Sequence, residues 1–86
     1  MPTSYILINS DLGTDESIII KIKEILSDEK DIRYEIRGVY GVYDIMLKLS
    51  SDSIDTLRST ITNKIRKITS VQSTLTMMVI EKQEKA

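Results

Sequence analysis

An α+β fold is predicted for this 86-residue chain, with a four-stranded antiparallel sheet and two helices on one of its faces. Three observations predict it. Short apolar or alternating runs with the two-residue period of strands start at Ser4, Asp31, Val42 and Val71. Two other segments carry isoleucine and leucine at helical spacing. The resulting order, β-α-β-β-α-β, is the split βαβ or ferredoxin-like arrangement.

Each element has its own signal. Ser4 to Asn9 is an apolar run ended by Ser10-Asp11-Leu12-Gly13, hence a buried strand. Thr14 follows as an expected N-cap. Asp15 and Glu16 fall in the first helical turn, where the helix dipole favours acids. Ile18, Ile22 and Ile25, with Leu26 beside them, make the apolar stripe, and the helix should end between Leu26 and Glu29. From Asp31 to Tyr40 the chain alternates. Ile32, Tyr34 and Ile36 face one way and Arg33, Glu35 and Arg37 the other, the pattern of a half-exposed edge strand. Val42 to Leu49 is the third strand. Ser51-Asp52-Ser53 opens a second helix with the stripe Ile54, Leu57, Ile61, Ile65 and Ile68. Val71 to Glu81 is the last strand, and 82–86 is a polar tail.

Right-handed crossovers place the first and third strands at the centre and both helices on one face. The first and last strands are apolar on both sides: Ile6 and Ile8 alternate with Tyr5 and Leu7, and Leu75, Met77 and Val79 with Met78 and Ile80. Two helices cover one face only. The other face would show more apolar surface than a monomer usually exposes, so it should pack against the same face of a second copy. Methionines 77 and 78 suit such an adaptable contact.

Composition narrows the function. A chain this short buries only roughly 60–65% of its unfolded surface, which makes self-association a natural source of stability. It has no Cys and no His. Thiolate or imidazole zinc sites and Ser-His or Cys-His nucleophiles are thereby excluded, and no cofactor or metal is expected. The net charge of −1 argues against a stand-alone nucleic-acid or membrane-surface binder. No signal peptide or membrane span is read, and the expected location is the cytoplasm.

Gly38-Val39-Tyr40-Gly41-Val42-Tyr43-Asp44, between the second and third strands, is the candidate site. Its two glycines permit positive φ and close backbone approach. It gathers backbone amides, two phenols and a carboxylate, the groups a small polar ligand needs. As a plain hairpin connection it is longer than a reversal requires.

The element order, the Gly41-Val42-Tyr43-Asp44-Ile45-Met46-Leu47-Lys48 segment and the Val71-Gln72-Ser73-Thr74-Leu75-Thr76 segment resemble the effector domain of Lrp/AsnC transcription regulators, also called the RAM domain. The helix end Ile61-Thr62-Asn63-Lys64-Ile65-Arg66-Lys67-Ile68 resembles AsnC-like members too. The likeness runs from Ser4 to Glu81, which is taken as one ligand-binding and oligomerisation domain. It implies a ferredoxin-like αβ dimer that assembles further, often to octameric rings, with amino-acid effectors bound between dimers. The implied ligand walls are Tyr40, Gly41, Val42, Tyr43 and Asp44 on one side and Arg66, Gln72, Ser73 and Thr74, from a neighbouring dimer, on the other. Full-length members carry a helix-turn-helix before this domain. This chain starts with the first strand, so it resembles stand-alone effector domains, and DNA binding does not carry over.

The chemistry suits a zwitterion. Asp44 can accept from an ammonium group. Amides near Gly41, the Ser73 and Thr74 hydroxyls or Arg66 can donate to a carboxylate, and Tyr40 and Tyr43 can wall a side chain. The alternative for Asp44 is a turn acid that bonds nearby backbone amides; for Ser73 and Thr74 it is ordinary strand surface. Among other users of the fold, an acylphosphatase needs a phosphate-binding Arg that is missing from the loop. An RNA recognition motif needs sheet aromatics and a basic face, and a metallochaperone needs Cys-x-x-Cys. The expected function is a non-enzymatic amino-acid-binding oligomerisation module linked to transcription regulation. The rivals are an ACT-type amino-acid sensor and a ligand-free partner that forms mixed oligomers with full-length Lrp/AsnC regulators.

Overall fold

Alternation in the first strand sets the core. Ile6 and Ile8 of β1 (Thr3–Ser10) are fully buried, as are Ile45, Leu47 and Leu49 of β3 (Ile45–Ser50). They lie side by side, with Ile6 opposite Leu47 and Ile8 opposite Ile45. In the computed structural model, which describes residues 2–80, the sheet order is β2-β3-β1-β4 and every pair is antiparallel. The first and third strands are therefore central, as predicted. β2 (Arg33–Gly38) and β4 (Val71–Met78) form the edges.

Two helices cover one face. α1 (Asp15–Ser27) buries Ile18, Ile22 and Leu26 there, and Ile25 is half-buried beside them. α2 (Ile54–Thr60) continues into a π-helical segment, Ile61–Ile65. Together these bury Leu57, Ile61 and Ile65. Each such aliphatic side chain taken out of water is worth about 1.5–3 kcal/mol.

The π segment has a reason in the sequence. Leu57, Ile61 and Ile65 recur every four residues, and in an α-helix each such step drifts by about 40° around the axis. A π turn, closed here by the Arg66 N–H donating to the Ile61 carbonyl at 3.0 Å, holds more residues and unwinds that drift. The stripe thus stays on the sheet. Ile54, predicted to belong to it, sits in the first turn of α2 and is 43% exposed.

Local chemistry corrects other expectations. Thr14 occupies the N-cap position, but its hydroxyl donates to the Asp11 carbonyl at 2.7 Å and caps no helical amide. Ser53 does cap α2, accepting from the Thr56 N–H at 3.1 Å. The third strand starts at Ile45, three residues later than Val42. The Val39 N–H donates to the Asp44 carbonyl at 2.8 Å, which closes the hairpin there and leaves Val42 and Tyr43 in the loop. Of the two loop glycines, only Gly41 has positive φ, at +138°.

The other sheet face has no helix. Tyr5 and Leu7 of β1 lie there opposite Met77 and Leu75 of β4, with Met46 on the far side of Leu7. Leu75 and Met77 are each 44% exposed. Toward β2 the same face becomes charged, with Lys48 opposite Glu35 and the exposed Arg33 and Arg37 beside it. β4 is open on both sides: Met78, opposite Ser4 on the helix face, is still exposed. The predicted strand end at Glu81 and the tail 82–86 lie outside the described residues.

Candidate functional site

The site is built where β1 runs out of strand partners. Asn9 pairs with Ser73 and Ser10 with Val71, so Gln72 is an extra residue, a β-bulge. Bulges re-aim side chains at the ends of sheets. Here the Gln72 side chain reaches across and its Nε2 donates to Asp11 Oδ1 at 2.9 Å. The Asp11 N–H donates to the Ser70 carbonyl at 2.8 Å, and Ser70 itself holds a φ of +79°. On the β3 side, the Ile8 carbonyl accepts from the Asp44 N–H at 3.0 Å. Two residues on, the Ser10 N–H points the same way, and the Asp44 side chain fills the place of a strand backbone. Its Oδ2 accepts from the Ser10 N–H at 2.9 Å and from the Ser10 hydroxyl at 3.2 Å.

A turn then leads into α1. The Thr14 N–H donates to the Asp11 carbonyl at 3.0 Å, and Gly13 supplies the φ of +78° that this reversal needs. Leu12 is left fully exposed at the tip, and Tyr40 is equally exposed on the glycine loop across from it. Between the two loops and the start of β4 lies a cleft of about 690 Å³, lined by Ser10, Asp11, Leu12, Gly13, Asp15, Gly38, Val39, Tyr40, Gly41, Asp44 and Gln72.

Of the predicted residues, Tyr40, Gly41, Asp44 and Gln72 come together in this cleft. Val42, largely exposed, and Tyr43, half-buried, share the loop without lining the cleft. Ser73 lies on the helix-free face, where its hydroxyl accepts from Asn9 Nδ2 at 3.3 Å, and Thr74 lies on the opposite face opposite Ile8. Neighbours in a strand face opposite ways, so these two cannot both reach one ligand from one chain. Arg66 is exposed at the end of the π segment, outside the cleft.

Sequence reasoning missed the β1–α1 turn, Ser10 to Gly13, and Asp15. The Asp11-Leu12-Gly13 signal is legible in the sequence, where by itself it marks only the end of a strand. What it also marks is a turn beside the end of a central strand, facing the glycine loop. The cleft carries three carboxylates, from Asp11, Asp15 and Asp44, and no lysine or arginine. It can accept hydrogen bonds from an ammonium group and donate through loop amides. Among the described residues no three His, Cys, Asp or Glu side chains gather to hold a metal ion, and no helix is long and apolar enough to cross a membrane.

A βαββαβ chain with a polar cleft between two loops at one end of its central strands has the form of a small-molecule binding module. The chain belongs to the Lrp/AsnC family: the family model described as the Lrp/AsnC ligand binding domain matches residues 3–85. Solved structures agree. The chain is similar to FFRP-DM1, with 32% identity over 93% of this chain and 100% of that one, at a TM-score of 0.75. It is similar to the protein PHS023 from Pyrococcus horikoshii, with 33% identity over 95% of this chain and 93% of that one, at a TM-score of 0.74. It is also similar to AsnC of E. coli, with 26% identity and a TM-score of 0.77 over 99% of this chain but 54% of AsnC. No curated protein matches the sequence. The resemblance read from the glycine loop and the last strand is thereby established as family membership.

Proposed function

We propose that this chain is a cytoplasmic amino-acid-binding and oligomerisation domain, linked to transcription regulation, with no enzymatic activity. The observation that carries this reading is the cleft between the glycine loop and the β1–α1 turn, in a chain matched almost throughout by a ligand-binding domain. The ligand's ammonium group is held by Asp44 Oδ1, since Oδ2 is engaged by Ser10. Amides of the loop around Gly41 receive its carboxylate, and Tyr40 walls its side chain. Arg66 and one of Ser73 and Thr74, none of which lines the cleft of its own chain, supply the second wall from a neighbouring dimer.

Assembly is part of the same reading. The helix-free face offers Leu7, Leu75 and Met77 to a second copy. Fully exposed Leu12 and Tyr40 at the cleft mouth offer a further apolar contact, which suits dimers joining into a ring. These same surfaces favour a second reading, a ligand-free partner that enters mixed oligomers with full-length regulators. Native mass spectrometry with and without a panel of the common amino acids separates the two. Effector binding adds the mass of one class of amino acid to an oligomer, whereas intact oligomers that take up none leave only the assembly role.

A further inference from the structure

A second groove, about 340 Å³ in volume, lies in the helical layer between α1 and the end of the second helix. Its character is the reverse of the cleft described above. Ile18, Ile25 and Ile68 form its floor, Lys21, Lys64 and Lys67 surround it, and no carboxylate lines it. Lys64 is paired with Glu29. Among the described residues, Lys21 and Lys67 make no ion pair, and the Thr69 hydroxyl at the rim makes no hydrogen bond.

Local reasons account for part of this. Lys64 and Lys67 stand at the C-terminal end of a helix, where cations oppose the negative end of the dipole. Lys21 is different: it sits in the middle of α1, where no dipole argument applies. Two elements far apart in sequence thus bring lysines without ion-pair partners among the described residues to one groove that three isoleucines also line. In a chain of net charge −1, the two openings sort charge: carboxylates line one and lysines the other. A groove of a few hundred Å³ lined by three isoleucines and several polar groups is in the size range of a small-molecule site.

We propose that this groove is a second ligand site, for a small organic anion with an apolar body. The anionic head is held by Lys21 and Lys67 beside Thr69, and the body covers the half-buried Ile25 and Ile68, with the buried Ile18 beneath them. The site is on the helical layer, away from the helix-free sheet face, and so is compatible with assembly through that face. It does not depend on the amino-acid reading of the first cleft.

The test uses octanoate as the probe and the assembled protein labelled at the isoleucine δ1 methyl groups, which remain visible by NMR in large oligomers. Octanoate is expected to shift the methyls of Ile18, Ile25 and Ile68 saturably, and to leave that of Ile20, exposed elsewhere on α1, unmoved. Octylammonium, with a chain of the same length and the opposite charge, is expected to give no saturable shift there. The double variant Lys21→Glu/Lys67→Glu should weaken octanoate binding by about tenfold or more, as attraction becomes repulsion. Lys23→Glu, off the groove, should not. If the double variant fails to fold, Lys21→Gln/Lys67→Gln carries the same comparison. Equal responses to the two probes, no shift at the three methyls, or unchanged affinity in the lysine variants overturns the proposal.

Discussion

The Asp44 carboxylate holds the end of β1: its Oδ2 accepts both the backbone N–H and the hydroxyl of Ser10, at 2.9 and 3.2 Å. The acid read from sequence as a ligand group therefore also completes the sheet. Under the proposed function, ligand binding and the alignment of the two cleft loops share this one side chain.

Two substitutions separate those roles. Asp44→Asn keeps an oxygen for the Ser10 N–H but removes the charge. It is expected to weaken amino-acid binding by about 2–5 kcal/mol, as when one partner of a buried charge pair is lost, with little change in thermal stability. Asp44→Ala strips the Ser10 N–H of its partner and should also lower stability, by about 1–3 kcal/mol. Calorimetry and thermal unfolding check the pair. Unchanged affinity in Asp44→Asn moves the ammonium acceptor elsewhere.

The two loop glycines should answer differently to a side chain. Gly41 has a φ of +138° with nothing within 4 Å of an added Cβ, so Gly41→Val strains the backbone without a clash. That strain is expected to cost about 1–3 kcal/mol and, by shifting the loop, to abolish ligand binding. Gly38→Ala places its Cβ 3.9 Å from the Ile19 Cδ1, an ordinary contact, and should bind as the native chain does. Loss of binding in Gly38→Ala alone would sink this account of the loop.

For assembly, the register decides which residue to change. Leu75 lies opposite Leu7 on the helix-free face, whereas Met78 lies opposite Ser4 on the helix side. Leu75→Glu should break the oligomer, because it buries an unpaired charge at the contact, and Met78→Glu should do less. Light scattering at micromolar concentration reads the outcome. A stable folded monomer of the native chain would remove the sheet-packing argument.

DNA binding gives a fourth test. With a net charge of −1, the chain lacks the basic excess that holds phosphates, so the purified protein should not shift duplex DNA at physiological salt. Specific binding in a mobility-shift assay would show a surface that this reading has missed. Co-purification of a full-length Lrp/AsnC regulator would instead support mixed oligomers.

The amino-acid sequence by itself determined the order of elements, from local periodicity, and the central place of the first and third strands, from the right-handed crossovers. In β1 and β4, where Ile6 and Ile8 alternate with Tyr5 and Leu7 and Leu75 and Met77 with Met78, both sides are apolar, and only the packing of the helices decided which side enters the core. Only the tertiary structure decided the site. Ser10 to Gly13 and the glycine loop are some thirty residues apart, and they meet because β1 and β3 are hydrogen-bonded neighbours whose ends open side by side. The bulge at Gln72 depends likewise on register between β1 and β4, which no single strand's pattern encodes. The π turn and the exposure of Ile54 depend on how the second helix meets the sheet: spacing names the residues of a stripe, but packing selects which of them are buried.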